Sequence, residues 1–242
     1  MILKREKKHP DLAIFGRVQK ITMEKKKLII YGVGKFAEYV RYVFEEDSMY
    51  EVIGFSIEKS YSDATEFNQL PLYPFEDLED DFSSQSVSLF IAVGQNEVRK
   101  RIFVASLSKG ITLATYISSR AQTWPNLKIG RNCFIGEGSV IQPFVEIGDN
   151  SIHFGSRIGH HSSVLDHTLV SGSTIGGNTI IGESSYLGLN STVQQNIRIG
   201  ARNIIGMNVC IEDNTEVGSV YTHKGSQKRS LSYEQVNQRF LL

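Results

Sequence analysis

The sequence predicts a two-part chain, in which a small α/β domain precedes a coiled stack of very short parallel strands. From Ile129 to Val217 an aliphatic residue returns at nearly every sixth position, and ten of these sixteen aliphatics are followed directly by glycine. Ahead of this region, residues 27–46 carry a buried-strand pattern, a glycine turn and a helix pattern. The predicted fold class is therefore α/β plus all-β.

Composition bounds the possible functions. The 242 residues are 40% hydrophobic, which is ordinary for a soluble globular protein with room for two modest domains. The 26 basic and 26 acidic residues cancel, so the balance indicates neither nucleic acid nor an anionic membrane as a partner. Cys133 and Cys210 lie far apart and form no disulfide framework or metal pair, which favours a reducing cytoplasm. No apolar run approaches the roughly 18 residues of a membrane span.

Residues 1–26 form a basic extension without a clear amphipathic period. Met23 stands immediately before the first predicted strand, and we expect the folded part to begin there. The alternative is a basic arm that contacts phosphate or lipid headgroups.

The α/β domain is expected at residues 27–117. The strand in KLIIYGVG runs into the turn Gly32-x-Gly34-x-x-Ala37, and residues 36–46 have helical spacing. Further strands are predicted at 51–58, 87–94 and 111–117, with a helix over 96–110. A glycine turn that opens a helix suits phosphate binding, although the same turn also serves for strand-to-helix packing without a ligand. About 90 residues supply only one mononucleotide-binding half, so a sugar nucleotide fits better than NAD.

The six-residue period predicts a β-helix over residues 118–219. It matches neither the 3.6-residue turn of an α-helix nor the two-residue pleat of a strand, but it fits a solenoid with three faces per coil. Only two steps, 147 to 152 and 170 to 175, are five residues long. About five coils are expected. The sixteen positions are Ile129, Ile135, Ile141, Ile147, Ile152, Ile158, Val164, Val170, Ile175, Ile181, Leu187, Val193, Ile199, Ile205, Ile211 and Val217.

A glycine turn of this kind followed by hexapeptide repeats resembles the sugar acyltransferases that include sialic acid O-acetyltransferases and N-acetyltransferases of nucleotide-linked 4-amino sugars. The resemblance covers about residues 27–219. It implies a Rossmann-like first domain that holds the nucleotide, a left-handed β-helix, acetyl-CoA as acyl donor and a homotrimer. It further implies acylation of a hydroxyl or amine on a nucleotide-linked sugar, in the cytoplasm, for surface polysaccharide or glycan building.

The first domain departs from the family pattern at two places. Lys35 stands where a histidine is common, and Ser56 to Glu58 replace a segment that usually carries an aspartate. With Gly32 and Gly34, Lys35 would meet a diphosphate and Glu58 would accept hydrogen bonds from a ribose or base. The alternative for both charged residues is a solvated surface position.

Four of the six histidines fall within fifteen residues: His153, His160, His161 and His167. If Ile158 points inward, Gly159 turns the corner and His160 projects outward. Gly177 then stacks one coil above His160. Acyl transfer needs a base, for which imidazole is suited, and a donor for the developing oxyanion, for which a glycine N–H is suited.

The resemblance assigns the base to His160 and the oxyanion donor to Gly177. His161 replaces a carboxylate that often orients the base, which leaves Asp166 or a residue of another subunit as possible orienting partners. His153 and His167 have the wrong register for catalysis. We expect them to be solvated or packed between subunits, and we expect His153→Ala to be close to neutral. No metal ligand is predicted, although some hexapeptide helices hold zinc between subunits through three histidines and hydrate carbon dioxide.

Leu189 and Met207 share an outward register on consecutive coils, next to Gly188 and Gly206. The resemblance predicts the pantetheine arm of CoA along this ladder, and the alternative is an apolar seam between subunits. In the tail, residues 220–242, a short helix is expected over SYEQVNQRFLL. Lys224, Lys228 and Arg229 are expected near the CoA phosphates.

A different class of function also fits the departures. A catalytically inactive trimeric binding or scaffold protein would explain the substitutions at Lys35, Ser56 and His161 as marks of lost activity.

Overall fold

The computed structural model describes residues 25–78, 87–228 and 230. Most of the predicted basic extension, Met23, Arg229 and the predicted C-terminal helix lie outside this part of the chain. Within it, no helix is long and apolar enough to cross a membrane.

The N-terminal domain is a twisted sheet with a helix on each face. Its strands are β1 (Lys26–Tyr31), β2 (Tyr50–Ile57), β3 (Glu66–Phe67), β4 (Leu70–Pro74) and β5 (Val87–Ile91), in the order β3-β4-β2-β1-β5. All pairs are parallel except the β3–β4 hairpin. Helix α1 (Lys35–Asp47) packs on one face and α2 (Asn96–Ser108) on the other, because the buried residues 28–31 of β1 present apolar side chains to both. A 3₁₀ turn spans Phe75–Asp77.

Two features of this domain differ from the sequence prediction. The strand predicted over 111–117 contributes only a single bridge from Leu113 to Leu89, after which Tyr116–Ile117 joins the β-helix. The β3–β4 hairpin was not predicted. Its turn residues Asn68 and Gln69 have φ of 49° and 65°, as a two-residue turn between antiparallel strands requires.

The second part is a left-handed parallel β-helix with three faces, as predicted. Each face is a parallel sheet whose strands pair with those one coil away. Face 1 consists of β7 (Lys128–Ile129), β10 (Glu146–Ile147), β13 (Ser163–Val164), β16 (Ile180–Ile181) and β19 (Arg198–Ile199). Face 2 consists of β6 (Tyr116–Ile117), β8 (Phe134–Ile135), β11 (Ile152–Phe154), β14 (Leu169–Ser171), β17 (Tyr186–Leu187), β20 (Ile204–Ile205) and β22 (Val220–Tyr221). Face 3 consists of β9 (Val140–Ile141), β12 (Arg157–Ile158), β15 (Thr174–Ile175), β18 (Thr192–Val193) and β21 (Cys210–Ile211).

The axis of the β-helix is filled by the predicted aliphatics with two exceptions. On face 2, His153 pairs with Ile135 and Val170 and is buried among the axis residues, whereas Ile152 pairs with Phe134 and faces the N-terminal domain. The predicted inward position of Ile152 is therefore wrong, and the first short step runs from 153 to 158. Val217, at the end of the repeat, is 71% exposed and lies outside the core.

Each corner of the coil carries a residue in the left-handed backbone region. We number the corners by the faces they join: corner 1 between faces 1 and 2, corner 2 between faces 2 and 3, and corner 3 between face 3 and the next face 1. At corner 3 the residues with positive φ are Phe144, His161, Asn178 and Asn196. Asparagine recurs at these positions because it tolerates this conformation better than other side-chain-bearing residues.

Face 2 and corner 1 join the two domains. The outward side chains of Phe134, Ile152 and Leu169 pack into the core around α1. From α2, the buried guanidinium of Arg99 donates to the carbonyls of Asn150, His167 and Thr168 at corner 1. Burial lowers the pKa of Arg99 to about 10, which leaves it charged at neutral pH.

Candidate active site

The glycine turn borders a cavity of about 470 Å³ at the carboxyl ends of β1, β2 and β5. Gly32 has a φ of 125°, and a methyl group there would lie 3.0 Å from the carbonyl oxygen of Ala92. Only glycine therefore fits at this position. Gly34 caps α1 without a side-chain hydrogen bond, and nothing lies within 4 Å of a methyl group placed on it. The first N–H groups of α1 are thus approachable by an anionic ligand.

The two charged residues predicted for this site differ in their surroundings. Glu58 lines the cavity and accepts hydrogen bonds from Arg101 Nη2 at 2.8 Å and from the Tyr31 hydroxyl at 3.1 Å. Arg101 holds the pKa of Glu58 below its usual value, so the carboxylate is ionised. The Lys35 side chain is 92% exposed and pairs with Glu38 at 2.8 Å, at the mouth of the cavity.

Sequence reasoning missed Tyr31 and Arg101, which fix Glu58. Tyr31 ends β1, and Arg101 lies on α2, on the face of the sheet opposite α1. Because the strand end and the helix are 70 positions apart, only the packing of α2 brings them together. Burial and the Glu58 carboxylate raise the pKa of Tyr31, which keeps its hydroxyl a donor.

A second cavity of about 390 Å³ lies between the N-terminal domain and the β-helix. It shares Gly94 and Gln95 with the first cavity. Tyr186 and Arg202 line its β-helix side, on face 2 and at corner 1 respectively. The cavity at the glycine turn therefore opens toward corner 1 and face 2.

His160 and Gly177 meet at corner 3, on consecutive coils. β12 pairs with β15, and the amide of Asn178 donates to the His160 carbonyl at 2.8 Å. A methyl group on Gly177 would lie 3.0 Å from Cε1 and 3.1 Å from Nε2 of His160, so the ring rests against the bare glycine backbone. The Gly177 N–H donates to no acceptor in the described part of the chain. The predicted stacking of these two residues is present in the structure.

The partner of the His160 ring is His161, whose Nδ1 lies 3.1 Å from Nδ1 of His160. Both histidines are exposed. Asp166, the orienting carboxylate that the sequence left possible, is at corner 1 and accepts a hydrogen bond from the Asp149 amide at 2.7 Å. Because corner 1 is a different edge of the coil from corner 3, Asp166 does not orient His160 within one chain.

The other two histidines of the cluster are buried, which contradicts their expected surface placement. His153 fills the β-helix axis, and neither ring nitrogen has a hydrogen-bond partner among the described residues. Burial lowers its pKa to about 3. His167 is at corner 1, where its Nδ1 accepts from the Asn150 amide at 2.9 Å, and burial lowers its pKa. An apolar pattern that scores only aliphatics does not find a histidine in the axis.

Leu189 and Met207 form an exposed ladder at corner 2, as their register predicted. They are 55% and 61% exposed, and the amide of Asn208 donates to the Leu189 carbonyl at 2.9 Å. A methyl group on Gly188 would lie 3.0 Å from the Met207 amide nitrogen, and one on Gly206 would lie 3.1 Å from the Tyr221 carbonyl oxygen. The ladder therefore has a close-packed backbone edge beside face 3. Of the tail lysines, Lys224 and Lys228 are exposed.

The described residues of a single chain contain no group of three or more His, Cys, Asp or Glu side chains placed to hold a metal ion. A zinc site of the three-histidine type thus has no ligand set within this part of one chain.

Three protein-family models match the chain. Residues 27–105 match the PglD N-terminal domain, residues 126–164 match the bacterial transferase hexapeptide with six repeats, and residues 178–213 match the hexapeptide repeat of succinyl-transferase. The chain joins a PglD N-terminal domain to transferase hexapeptide repeats. This result confirms the predicted resemblance for both domains.

Solved structures of similar fold support the architecture. The acetyltransferase domain of PglB from Neisseria gonorrhoeae has a TM-score of 0.73 at 23% identity, covering 81% of this chain and 96% of that one. PerB from Caulobacter crescentus, in complex with CoA and GDP-perosamine, has a TM-score of 0.69 at 20% identity, covering 80% and 92%. WeeI from Acinetobacter baumannii has a TM-score of 0.69 at 18% identity, covering 81% and 96%.

Proposed function

We propose that the protein is an acyl-CoA-dependent sugar acyltransferase, with acetyl-CoA as donor, that modifies a hydroxyl or amine of a nucleotide-linked sugar. The observation that carries the proposal is the His160 imidazole resting against Gly177, whose N–H donates to no acceptor among the described residues. This pair combines a base with a backbone donor on an exposed corner. PerB, which shares the fold, binds CoA and GDP-perosamine, and this supports the choice of substrates.

Each residue has a defined task. His160 Nε2 accepts the proton of the attacking hydroxyl or amine, and the Gly177 N–H donates to the oxygen on which negative charge develops. The His160 ring can lie this close to residue 177 because glycine has no side chain there; an added methyl group would displace the ring. Acetyl-CoA supplies the thioester carbonyl that the acceptor attacks. The C–S bond then breaks, and CoA leaves as a thiol with the proton that His160 took from the acceptor.

Corner 2 fits the acyl donor. The exposed Leu189 and Met207 side chains offer apolar contact for a thin aliphatic arm, and the corner edge around Gly188 and Gly206 is bare backbone. Corner 2 and corner 3 bound the same face 3, so an arm laid along corner 2 can direct its end across face 3 toward His160. The exposed Lys224 and Lys228 would meet the CoA phosphates.

The nucleotide of the acceptor would occupy the cavity at Gly32 and Gly34. The α1 N-terminus would face the diphosphate, and the ionised Glu58 would accept hydrogen bonds from a ribose or base. Lys35 at the mouth would contribute charge to the diphosphate. We place the end of the first domain near residue 115 and the end of the β-helix at 221, instead of at the predicted 117 and 219, because Tyr116–Ile117 and Val220–Tyr221 pair within face 2.

A homotrimer would complete the site. In one chain, the nucleotide cavity opens toward corner 1 and face 2, whereas His160 lies at corner 3. A neighbouring copy would therefore bring a His160 to the sugar that this chain holds. Such an enzyme, which consumes acetyl-CoA and a nucleotide-linked sugar, would work in the cytoplasm in surface polysaccharide or glycan building.

The test is release of CoA thiol from acetyl-CoA with a panel of nucleotide-linked sugars that carry free amines or hydroxyls. Wild type should turn over at least one acceptor. H160N should lower kcat by roughly 100-fold or more, and G177A should also lower it, because the added methyl displaces the ring. The affinity for CoA, measured by calorimetry, should change little in H160N.

K128Q, a surface change on face 1, is the control and should match wild type. An H160N protein that keeps its fold and near wild-type turnover would contradict the assignment of the base. A wild type that binds nucleotide-linked sugars but releases no CoA with any acceptor would favour the scaffold alternative.

A further inference from the structure

The His160 ring is hydrogen-bonded to another imidazole. The two Nδ1 atoms are 3.1 Å apart, with the rings nearly perpendicular at 87°. A hydrogen bond between two ring nitrogens contains one proton, so one ring donates and the other accepts. The direction of this bond decides which nitrogen of His160 is free.

The proposed function sets the direction, and the inference rests on it. A neutral imidazole carries one N–H. If Nε2 of His160, beside Gly177, is to accept a proton, the N–H of His160 must be on Nδ1. His160 then donates to His161, and His161 carries its own proton on Nε2, on the exposed side of the pair.

His161 is held in this position from the coil below. Its backbone lies in the left-handed region, with φ of 58°, and its amide donates to the Pro143 carbonyl at 3.3 Å. Its ring packs on Phe144, with centroids 4.6 Å apart and planes inclined by 30°. Phe144 occupies the same left-handed position one coil below.

The next coils show what this position does without a histidine. Asn178 and Asn196 occupy it, and the side-chain Nδ2 of Asn178 donates to Oδ1 of Asn196 at 2.8 Å along the column. His161 instead turns out of the column toward its sequence neighbour.

We propose that His161 is the positioning residue of His160, accepting its Nδ1–H, and that Phe144 holds His161 for this task. In this arrangement the acceptor is the neutral imidazole of His161. The neighbours that these two histidines contact on the coils below and above, within the described chain, carry no titratable group: Phe144 and Gly177 lie against the rings, and Gln142, Pro143 and Asn178 form hydrogen bonds with the backbones.

Substitutions at His161 separate hydrogen bonding from shape. H161G keeps the left-handed backbone and removes the acceptor, so kcat should fall about tenfold or more while KM for acetyl-CoA stays constant. H161Q offers a neutral carbonyl acceptor and should recover part of this loss. At Phe144, F144N keeps the backbone preference but removes the ring and should lower kcat, whereas F144Y keeps the ring and should lower kcat less than F144N does.

H161E tests the charge of the acceptor. A carboxylate beside His160 favours the imidazolium, so the acid limb of the pH profile of kcat/KM should move to higher pH than in H161Q. A purely structural role for His161 predicts the same acid limb in both variants. That result, or H161G turnover within twofold of wild type, would overturn the proposal.

Ring-nitrogen NMR provides a readout that does not depend on turnover. In the ¹⁵N-labelled full chain near pH 8, His160 should show a protonated Nδ1 and a bare Nε2, and H161G should lose this preference. H160N and H161G assign the signals. An active wild type with the His160 proton on Nε2 would overturn the positioning role alone, whereas a wild type without acyl transfer would overturn the proposed function.

Discussion

His160 shows how much a spacing argument can predict for a single residue. Its outward direction and its stacking on Gly177 both follow from the period of the aliphatics around Ile158 and Ile175, because paired strands place equivalent positions one above the other. The partner of the ring was not predictable, since His161 reaches it by leaving the asparagine column at corner 3.

His153 shows where the same argument is wrong. The pattern placed Ile152 inward because it counted aliphatic residues, yet the imidazole of His153 occupies the axis between Ile135 and Val170. Ile152 is apolar for another reason, namely its contact with the N-terminal domain. Because His153 is a core residue, truncating it to alanine should leave a cavity and destabilise the fold rather than be neutral.

The buried His153 should make the fold sensitive to acid. Its pKa is about 3 in the folded chain, against about 6.5 for an unfolded histidine. As the pH falls below about 6.5, His153 becomes protonated in the unfolded chain but stays neutral in the folded one. This difference lowers the free energy of unfolding by up to about 1.4 kcal/mol per pH unit. H153L, which matches Leu187 on the same face, should reduce the drop.

Urea unfolding of wild type and H153L at pH 7.5 and pH 5.0 measures this effect. Some acid sensitivity should persist in H153L, because the pKa of His167 is also lowered by burial. If the free energy of unfolding falls by the same amount in both proteins between these pH values, His153 does not gain a proton on unfolding, and the prediction is wrong.

At the scale of elements, the strands of the β-helix and the βαβ core of the first domain were predictable because each has an uninterrupted apolar pattern. The exceptions have physical causes. Leu113 continues such a pattern, but its segment leaves the sheet after one bridge because Tyr116 stacks on Phe134 at the start of the β-helix. The β3–β4 hairpin is too short for any period to be visible.

The corners depend on residues that tolerate positive φ. Asn208 at corner 2 has a φ of 57° and an exposed side chain. N208A should lower the free energy of unfolding by about 1 kcal/mol, because alanine is strained in the left-handed region. N208G should cost less, since glycine has no Cβ to clash. Denaturant unfolding of the three proteins tests the order, and N208A as stable as wild type with N208G less stable would contradict it.

At the scale of the whole molecule, the two domains are held by buried polar contacts as well as by apolar packing. The amide of Ile91 donates to Asn132, Asn132 donates to Asn150, and Asn150 donates to His167, so the edge of β5 is tied to three successive coils. Arg99 adds bonds to the same corner and to the carbonyls of Val93 and Gly94, which line the cavity at the glycine turn. No sequence pattern indicated this interface, because it joins distant positions.

A shared active site predicts complementation between inactive chains. H160N lacks the base, and G32V blocks the glycine turn, where a side chain would meet Ala92. In a mixed trimer, an H160N protomer holds the nucleotide beside a G32V neighbour that supplies His160. Co-expression should restore about a quarter of wild-type activity, the share of interfaces with both intact partners under random assembly. Sedimentation analysis should show trimers. Mixed trimers with no more activity than either parent would contradict sharing.

The unequal coil lengths constrain how this chain can change over generations. Corner 3 keeps four residues between the strands of faces 3 and 1 in every coil, whereas the steps from 153 to 158 and from 170 to 175 shorten corner 2 by one residue. A single-residue insertion at corner 3 next to His160 would slide a different side chain over Gly177. The same insertion near Gly155 or Gly172 would only restore the longer corner found elsewhere in the coil. Corner 2 is thus the place where insertions and deletions can accumulate without changing the strand register that aligns His160 with Gly177.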